Sequence, residues 1–505
     1  MQYRTSFLVA TTALFPATAS LADVTPQEVW DQFLVSAQIS GQTWTAANLE
    51  QNDDTLIAQD VSLAMPIFGD FMTVDGTIPQ VVMQQLDDGK VKMTIPDPVD
   101  YSVSIEGELD LGLERMDVVS TMTMDNVMIA SGTAEDLTIE IQPGTLTYVT
   151  PAQVKDGVAI VPEQTITLLG VQGISTQKTT GKDIATTWDM TAEAATMISN
   201  GTTDQMTMET SYKMAPLTMV ADFTSNLDSL DTPLGFIKAA NGSGSYAIEN
   251  MAFEMKTGTA EQMMHLTGET EAATVGVDLS DGSLTYTGTS AHTEMVVSGS
   301  AIPFPQIDLG LEAANFALTV PFMASEQKEE FGLKLELSSL RLPEIAWMIL
   351  DPSAQMAHDP ATLKLDISGD THIDVDLLDF AKFMDLAESG TSPFIPADLK
   401  LNDLFLSIAG ATLMGQGEAM FVAPDAFADA ELPFQTAEAT LSLTGGTALI
   451  DTLTQAGLLP PQTSMTAKMM LGMFARPGEG DDAFITDIKL DEAGTVTLNG
   501  QPMPF

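Results

Sequence analysis

The sequence predicts a mainly β protein, with long curved antiparallel sheets arranged as a trough or as two stacked sheet units, and about five or six short helices. Three observations carry this. Apolar and polar residues alternate with period two through most of the chain, as in Tyr101, Val103 and Ile105 against Ser102, Ser104 and Glu106, the pattern of a sheet wetted on one face. Turn pairs built on glycine, such as Asp88-Gly89, punctuate the runs. The chain has 505 residues and is 44% hydrophobic, and a sheet of more than ~10 strands curls or splits.

Residues 1–22 read as a secretory leader: Arg4 is the basic start, Phe7 to Ala19 are mostly apolar, and Ser20 and Ala22 are small residues before the cut. The apolar stretch is shorter than the ~20 residues that span a bilayer, so no transmembrane anchor is expected. A soluble exported protein of the periplasm follows. Two further units are expected, an amino-terminal β-rich one over 23–300 with a leading helix, and a carboxy-terminal one over 301–505 with capping helices and a terminal hairpin. A single sheet crossing residue 300 fits the same pattern.

The leading helix spans about Pro26 to Gln38. Thr25, Pro26 and Glu28 supply the cap, the first position and the capping-box acid, and Val29, Phe33 and Ala37 share a face. Strands then follow to Thr150, among them Met122 and Met124, and Leu137, Ile139 and Ile141, with Asp75-Gly76, Asp88-Gly89 and Pro143-Gly144 read as turns. Helical interruptions are expected near Ile184 to Met197 and Pro233 to Ala240. Met206, Met208, Leu284, Tyr286, Met295 and Val297 mark more strands, with a hairpin turn at Asp281-Gly282. Phe331 to Leu337 is a strand, Pro343 opens an apolar helix through Leu350, and Leu363 to Ile367 begins another strand. Asp370, His372, Asp374 and Asp376 would line the polar side of the next. Helices are expected at Asp379 to Ala387, Ala448 to Ala456 and Pro461 to Phe474, and a hairpin joins Ile485–Leu490 to Val496–Asn499.

Charge excludes several partners. With 19 Lys and Arg against 70 Asp and Glu, the net charge is −51, which repels nucleic acid and anionic headgroups. No cysteine is present, so disulfides and a lipidated cysteine are excluded. His265, His292, His358 and His372 are scattered, without HExxH spacing, and there is no GxSxG or phosphate-binding glycine loop. No cofactor is implied, and an enzyme is not the favoured reading. Ser325 and Lys328 match SxxK spacing but lie in a polar run that reads as a solvated turn. Asp366, Asp370, Asp374 and Asp376 offer oxygen ligands for calcium without EF-hand order, and an acidic strand face in water is the favoured explanation. Met122, Met124, Met206, Met208, Met263 and Met264 read as core filling or as an adaptable apolar lining, ahead of copper ligands.

Two apolar helix patches are the candidate contact residues: Trp347, Met348, Ile349 and Leu350, and Met469, Met470, Met473 and Phe474. Such helices are either buried or rest against something apolar.

The stretch LRLPEIAWMILDPSAQMAHDPATLKLDISGD, Leu340 to Asp370, together with ADVTPQEVWDQF at the mature start and LLPPQTSMTAKMMLGMFARPGEGDD with the closing NGQP, resembles the DUF2125 family of exported alphaproteobacterial proteins. The resemblance runs through nearly all of the mature chain and implies no activity that transfers residue by residue. The leader and strand texture are also similar to AsmA and YdgA-like envelope proteins, which implies envelope maintenance or lipid handling. The membrane anchor that many AsmA relatives carry has no counterpart here.

The expected function is therefore a non-enzymatic cell-envelope protein that shelters a lipid or another apolar ligand on a sheet groove. The alternatives are an assembly or structural factor that binds an envelope protein through a sheet edge, and a hydrolase whose site is assembled from dispersed residues.

Overall fold

A computed structural model of the chain describes residues 24–67, 72–109, 113–155, 158–202, 206–229, 235–259, 261–280, 282–351, 354, 356–389, 392–422 and 433–503; the leader read at 1–22 lies outside them. Among the described residues, one antiparallel sheet of 31 strand segments accounts for most of the structure. Its ladder is unbroken at residue 300, where Thr293–Ser298 pairs with Gln306–Leu311.

Among the described residues, the main core lies at the amino-terminal end. Helix α1 (Pro26–Ile39) opens on the expected capping box, with the Thr25 hydroxyl accepting from the Glu28 amide and the Glu28 carboxylate accepting from the Thr25 amide. Val29 and Trp30 are buried against Leu56, Ile78, Val81, Met83 and Met93, and Phe33 meets Trp44 edge to face at 4.8 Å. On the helix's other flank Gln32 accepts a hydrogen bond from Gln177 (2.6 Å), and Ser36 donates one to the same side chain. Trp44 lies in strand Thr43–Asn52 and Gln177 in strand Glu163–Thr180. Six ladder steps separate those strands, or ~29 Å if the sheet were flat, whereas a helix is only ~10–12 Å across. The sheet is therefore rolled around α1.

Beyond this end the sheet carries a seam. Strand Asp183–Ala192 continues as Ala194–Thr202, Thr207–Met214 as Leu217–Asn226, Asn241–Ile248 as Met251–Gly258, Met263–Thr270 as Ala273–Ser280, Ser283–Ser290 as Thr293–Ser298, and Gln306–Leu311 as Ala313–Pro321. Each half pairs with the matching half of its neighbour. The extra residue at each break advances the side-chain alternation by one, so Ala192 and Ala195, Met214 and Leu217, and Ile248 and Met251 stay on one face despite a spacing of three. The backbone at the seam stays bonded, as in Glu193 N–H to Leu169 C=O (2.8 Å), Glu271 N–H to His292 C=O (3.0 Å) and Glu312 N–H to Ser338 C=O (3.1 Å). Asn126 stitches an earlier part of the same line, donating to the carbonyls of Gln142 (2.9 Å) and Val171 (2.7 Å).

The sheet departs from the sequence reading at three places, two of them at the seam. Ile184 to Met197, expected as a helix, is two strand segments; the slip at Glu193 imitates helical spacing, while Thr186, Thr187 and Thr191 favour extended backbone. Pro143-Gly144 is no turn but part of strand Asp136–Thr150, and a Cβ on Gly144 would lie 2.7 Å from the Asn126 amide carbon. Asp75-Gly76 likewise lies inside strand Met72–Gln85, where Gly76 lets Leu63 and Tyr101 approach (2.8 and 3.0 Å from a Cβ).

Two polar runs also differ. Ser325 to Lys328, expected as a turn, begins strand Ser325–Leu340, with a bulge between Ser325 and Glu329 that interrupts the alternation. Asp374 and Asp376 lie past the end of strand Ala361–Ile373. Asp376 is drawn instead into an ion pair with Lys238 (2.6 Å) and accepts the Ala324 amide (2.9 Å).

The remaining helices border the sheet: α2 (Gly235–Lys238), α3 (Glu344–Leu350), α4 (Phe380–Ser389), α5 (Gly446–Gln455) and α6 (Pro461–Phe474). The expected helix at Pro233 to Ala240 survives as α2, its first two positions lying outside the described residues, as does Asp281 of the expected hairpin turn. Helix α5 lacks a side-chain cap of its own, since Gly445 stands at that position. Asp482, from beyond α6, takes the role: its carboxylate accepts the Thr447 amide and hydroxyl and the Ala448 amide (2.9 Å). Burial pushes the Asp482 carboxyl up, but the hydrogen bonds from Thr447 and the two amides outweigh it and hold the pKa below the ordinary value. A depressed carboxylate pKa contributes stability above the unfolded value of ~3.9 and loses it as the pH falls through the folded one. Asp482→Ala is expected to cost about 1 kcal/mol at neutral pH, and the difference from wild type is expected to shrink below about pH 4, as read by urea unfolding at a series of pH values.

Candidate functional site

The register assigns every side chain on the sheet to a face. One cross-strand row can be followed through the pairs Leu56, Met83, Met93, Met128, Ile141, Gly173, Met190, Met219, Tyr246, Val275, Gly288, Phe316, Leu335, Leu365, Leu404, Gly415, Leu441 and Thr486. Apart from its last member the row is apolar or glycine. Its seventeen steps of ~4.8 Å make a path of roughly 80 Å along the sheet. A second row beside it holds Trp188, Ala221, Gly244, Val277, Tyr286, Leu318, Leu333, Ile367 and Leu401. A third holds Leu217, Ile248, Ala273, Ser290, Ala314, Leu337, Leu363, Leu406, Leu413 and Leu443, apolar but for the serine.

The first members of this face form the core under α1. Past them no second layer continues the cover among the described residues. Among described residues after Leu137, fully buried apolar side chains are few and scattered: Ile184, Ala192, Ala195, Phe322, Trp347, Ala361, Ile373, Ala411 and Leu490. Past that core, and apart from Gly415, members of the apolar rows are half-buried or exposed, Tyr246 at 57%. An apolar face this extensive marks an interaction surface.

The opposite face is polar. Thr187, Asp222, Ser243, Asp278, Thr285 and Thr319 form one of its rows, and a shallow cavity of about 460 Å³ lies over it. Lys256 pairs with Glu254 (2.8 Å), Lys334 with Asp366 (3.2 Å) and Lys364 with Glu336 (2.8 Å). These exposed pairs contribute little stability; they leave the acidic excess facing water. The carboxyl of Glu336 is held low by hydrogen bonds from Lys364, Asn315 and Ser338.

The expected contact residues fall on two rim helices. Helix α3 leaves the sheet at Leu340 and returns at Ala361; α5 and α6 leave at Thr444 and return at Ala483. Leu340 pairs with Ala361 and Thr444 with Ala483, so both excursions stand on the same side of the sheet. Trp347 is buried at 6% exposure and stacks on His358 with ring centres 4.3 Å apart, and His358 reaches the buried Asp351 at 3.3 Å. Its neighbours Met348 and Ile349 turn outward at 60% and 55% exposure; the Leu350 side chain lies outside the described residues. On α6, Met469, Met470 and Met473 are exposed. Phe474 is half-buried and its carbonyl accepts from Thr486 and Asn499. Met465, at 72% the most exposed of this group, was missed by the sequence reading, although its spacing of four and eight from Met469 and Met473 places all three on one stripe.

The other candidates do not assemble. His265 contacts Glu254 (2.9 Å), and His292 contacts Glu294 (3.3 Å) and Glu312 (3.4 Å). Asp366 is engaged by Lys334 and by Asn402 (3.0 Å). No cluster of three His, Asp or Glu suited to a metal occurs among the described residues. Met122, Met124 and Met128 pack on the amino-terminal core, but Met206 and Met208, expected as core, are exposed because the sheet is one layer thick there. No helix among the described residues is long and apolar enough to cross a membrane.

Compared with protein-family models and with curated proteins, the chain matches none.

Gly288 marks the openness of the face. A Cβ built there meets no atom within 4 Å, although the residue sits between Val275 and Phe316 in the main apolar row. A bulky residue at this position would therefore project over the face without a clash. Gly288→Trp is expected to fold with a stability within about 1 kcal/mol of wild type, as checked by urea unfolding; a loss as large as that of an overpacked core, about 3 kcal/mol, would show that the face is covered.

Proposed function

We propose that this chain is an exported, non-catalytic protein of the cell envelope that holds acyl chains of lipids along the apolar face of its sheet. One observation carries the reading: a continuous apolar row, followed from the helix-covered core at Leu56 to Leu441, loses its protein cover after the first strands. A sheet needs its apolar face buried against another layer. Acyl chains can provide that layer, with ~0.8 kcal/mol for each methylene fully removed from water. The half-exposed side chains of the row, glycines at positions 244 and 288 and unbranched methionines at 190 and 219 give a surface that adapts to chains of different length. The acidic opposite face keeps a loaded complex dispersed and repels anionic surfaces. The outward Met348, Ile349, Met465, Met469 and Met473 of the rim helices suit a contact where lipid enters. The resemblance to an exported family and to lipid-handling envelope proteins points the same way, and a periplasmic location follows from the leader reading.

The test is recovery of ligand. Protein purified from its native envelope without detergent is expected to carry phospholipid or free fatty acid detectable by mass spectrometry, in more than one copy per chain. Gly288→Trp, which intrudes on the middle of the row, is expected to carry about half as much or less. Recovery of protein free of lipid, with no uptake from vesicles of zwitterionic phospholipid, would reject the reading.

A further inference from the structure

We infer that two copies of this chain join edge to edge through strand Thr43–Asn52, extending the sheet across a two-fold axis. This goes beyond the lipid reading and does not depend on what covers the apolar face.

Strand Thr43–Asn52 is the first line of the ladder. It pairs with Thr55–Pro66 on one side, and among the described residues no residue pairing occupies its other side. Such an edge presents unpaired amides and carbonyls to any extended chain, and proteins that remain single blunt it with lysine, proline or a covering element. This strand, TWTAANLEQN, has no lysine, arginine or proline. It also carries a single acid, Glu50, in a chain with 70, so the charge that would repel a second copy is thinnest here.

The far end of the sheet is built differently. Strand Ala483–Leu490 is covered on its outer side by Arg476–Pro477 and Val496–Leu498, and the last segment, Gln501–Pro502, ends in proline. Head-to-tail growth would need that blunted end. The free edge is left to pair with itself, which closes the assembly at two.

The strand is self-complementary in one register. Ala46 faces the core row opposite Val61, and Leu49 that opposite Ala58, a spacing of three that sets the seam's slip between them. Antiparallel pairing of the strand with its symmetry mate about the midpoint of Ala47 and Asn48 places Ala46 opposite the partner copy's position 49 and Leu49 opposite its position 46. Directly opposed residues share a face, so the apolar face continues from one copy to the other and the two slips coincide at the axis. A shift of one residue would turn Leu49 to the acidic face.

Sedimentation equilibrium of the purified protein is expected to give twice the single-chain mass, with dimerisation strengthened by added salt, which screens the charge of −51 on each copy. Ala47 and Asn48 are exposed, and A47K/N48K sets like charges against each other at the axis; it is expected to sediment as a single chain with an unchanged circular dichroism spectrum. Because the chain has no cysteine, the register has its own test even where the lysine variant does not fold. Mixing T45C with E50C protein under mild oxidation is expected to give at least about tenfold more covalent dimer than either alone, since this register sets these two exposed positions opposite each other within disulfide reach, whereas like positions in the two copies lie five residues, roughly 16 Å, apart along the strand. A wild-type protein that stays single, a dimer that survives A47K/N48K, or equal cross-linking in all three samples would overturn the proposal.

Discussion

The constraint on which the rest of this structure depends is that a hydrogen-bonded ladder can grow indefinitely while a hydrophobic core cannot. Each new strand satisfies its backbone by pairing with the last, and each adds apolar side chains to the same face. At the amino terminus that face is buried by α1 and by the rolling of the sheet about it, with Trp30, Leu56, Ile78 and Met83 fully enclosed. Further along, the ladder continues without a layer of matching length among the described residues. Within the ladder the backbone is paired on both sides of each strand; the side chains of one face are left uncovered. Burial of apolar area is the dominant favourable contribution to folding, so this open face is the part of the molecule whose energetics ask for a second component.

The seam follows from the same economy of form. Strands of this length would twist strongly if left regular. One extra residue at each crossing bends the sheet along a line and preserves the identity of its two faces, because the slip is repeated in strand after strand. Were it absent from a single strand, that strand would present its apolar residues to the acidic side. The seam thereby keeps two long half-strands working as one surface, with glutamates 193, 249, 271 and 312 placed at the breaks, where polar residues interrupt no apolar row. The rim helices complete the arrangement by fastening inward through Trp347 and the Asp482 cap while leaving thioethers outside.

Much of the fold was legible in the alternation itself. The capping box of α1, the limits of α6 and the closing hairpin from Ala483 to Leu498 follow from local rules that tertiary contacts did not overrule. Two of the errors share one physical origin. Where the sheet slips phase, apolar residues fall three apart, and period-two reading breaks into an apparent helix at Ile184 to Met197 or an apparent turn at Pro143-Gly144. Recognising that Ala192 and Ala195, Met214 and Leu217, and Ile248 and Met251 repeat the same offset would have exposed the seam. The open face was less accessible, since alternation describes a buried face and an uncovered one identically; only the register and the missing second layer distinguish them. The apolar patches at Trp347 to Leu350 and Met469 to Phe474 were visible as composition, but which members turn outward depends on the stacking of Trp347 on His358 and on the packing of α6 against α5.

The most direct test of the central claim is to ask what Phe316, near the middle of the main apolar row, touches in the cell. A photoreactive aromatic residue at that position, activated before the envelope is broken, should become attached to acyl lipid, with cross-linked peptide masses raised by those of phospholipids or fatty acids. Cross-links confined to other segments of the same chain would contradict the account, because they would mean that the protein covers this face itself.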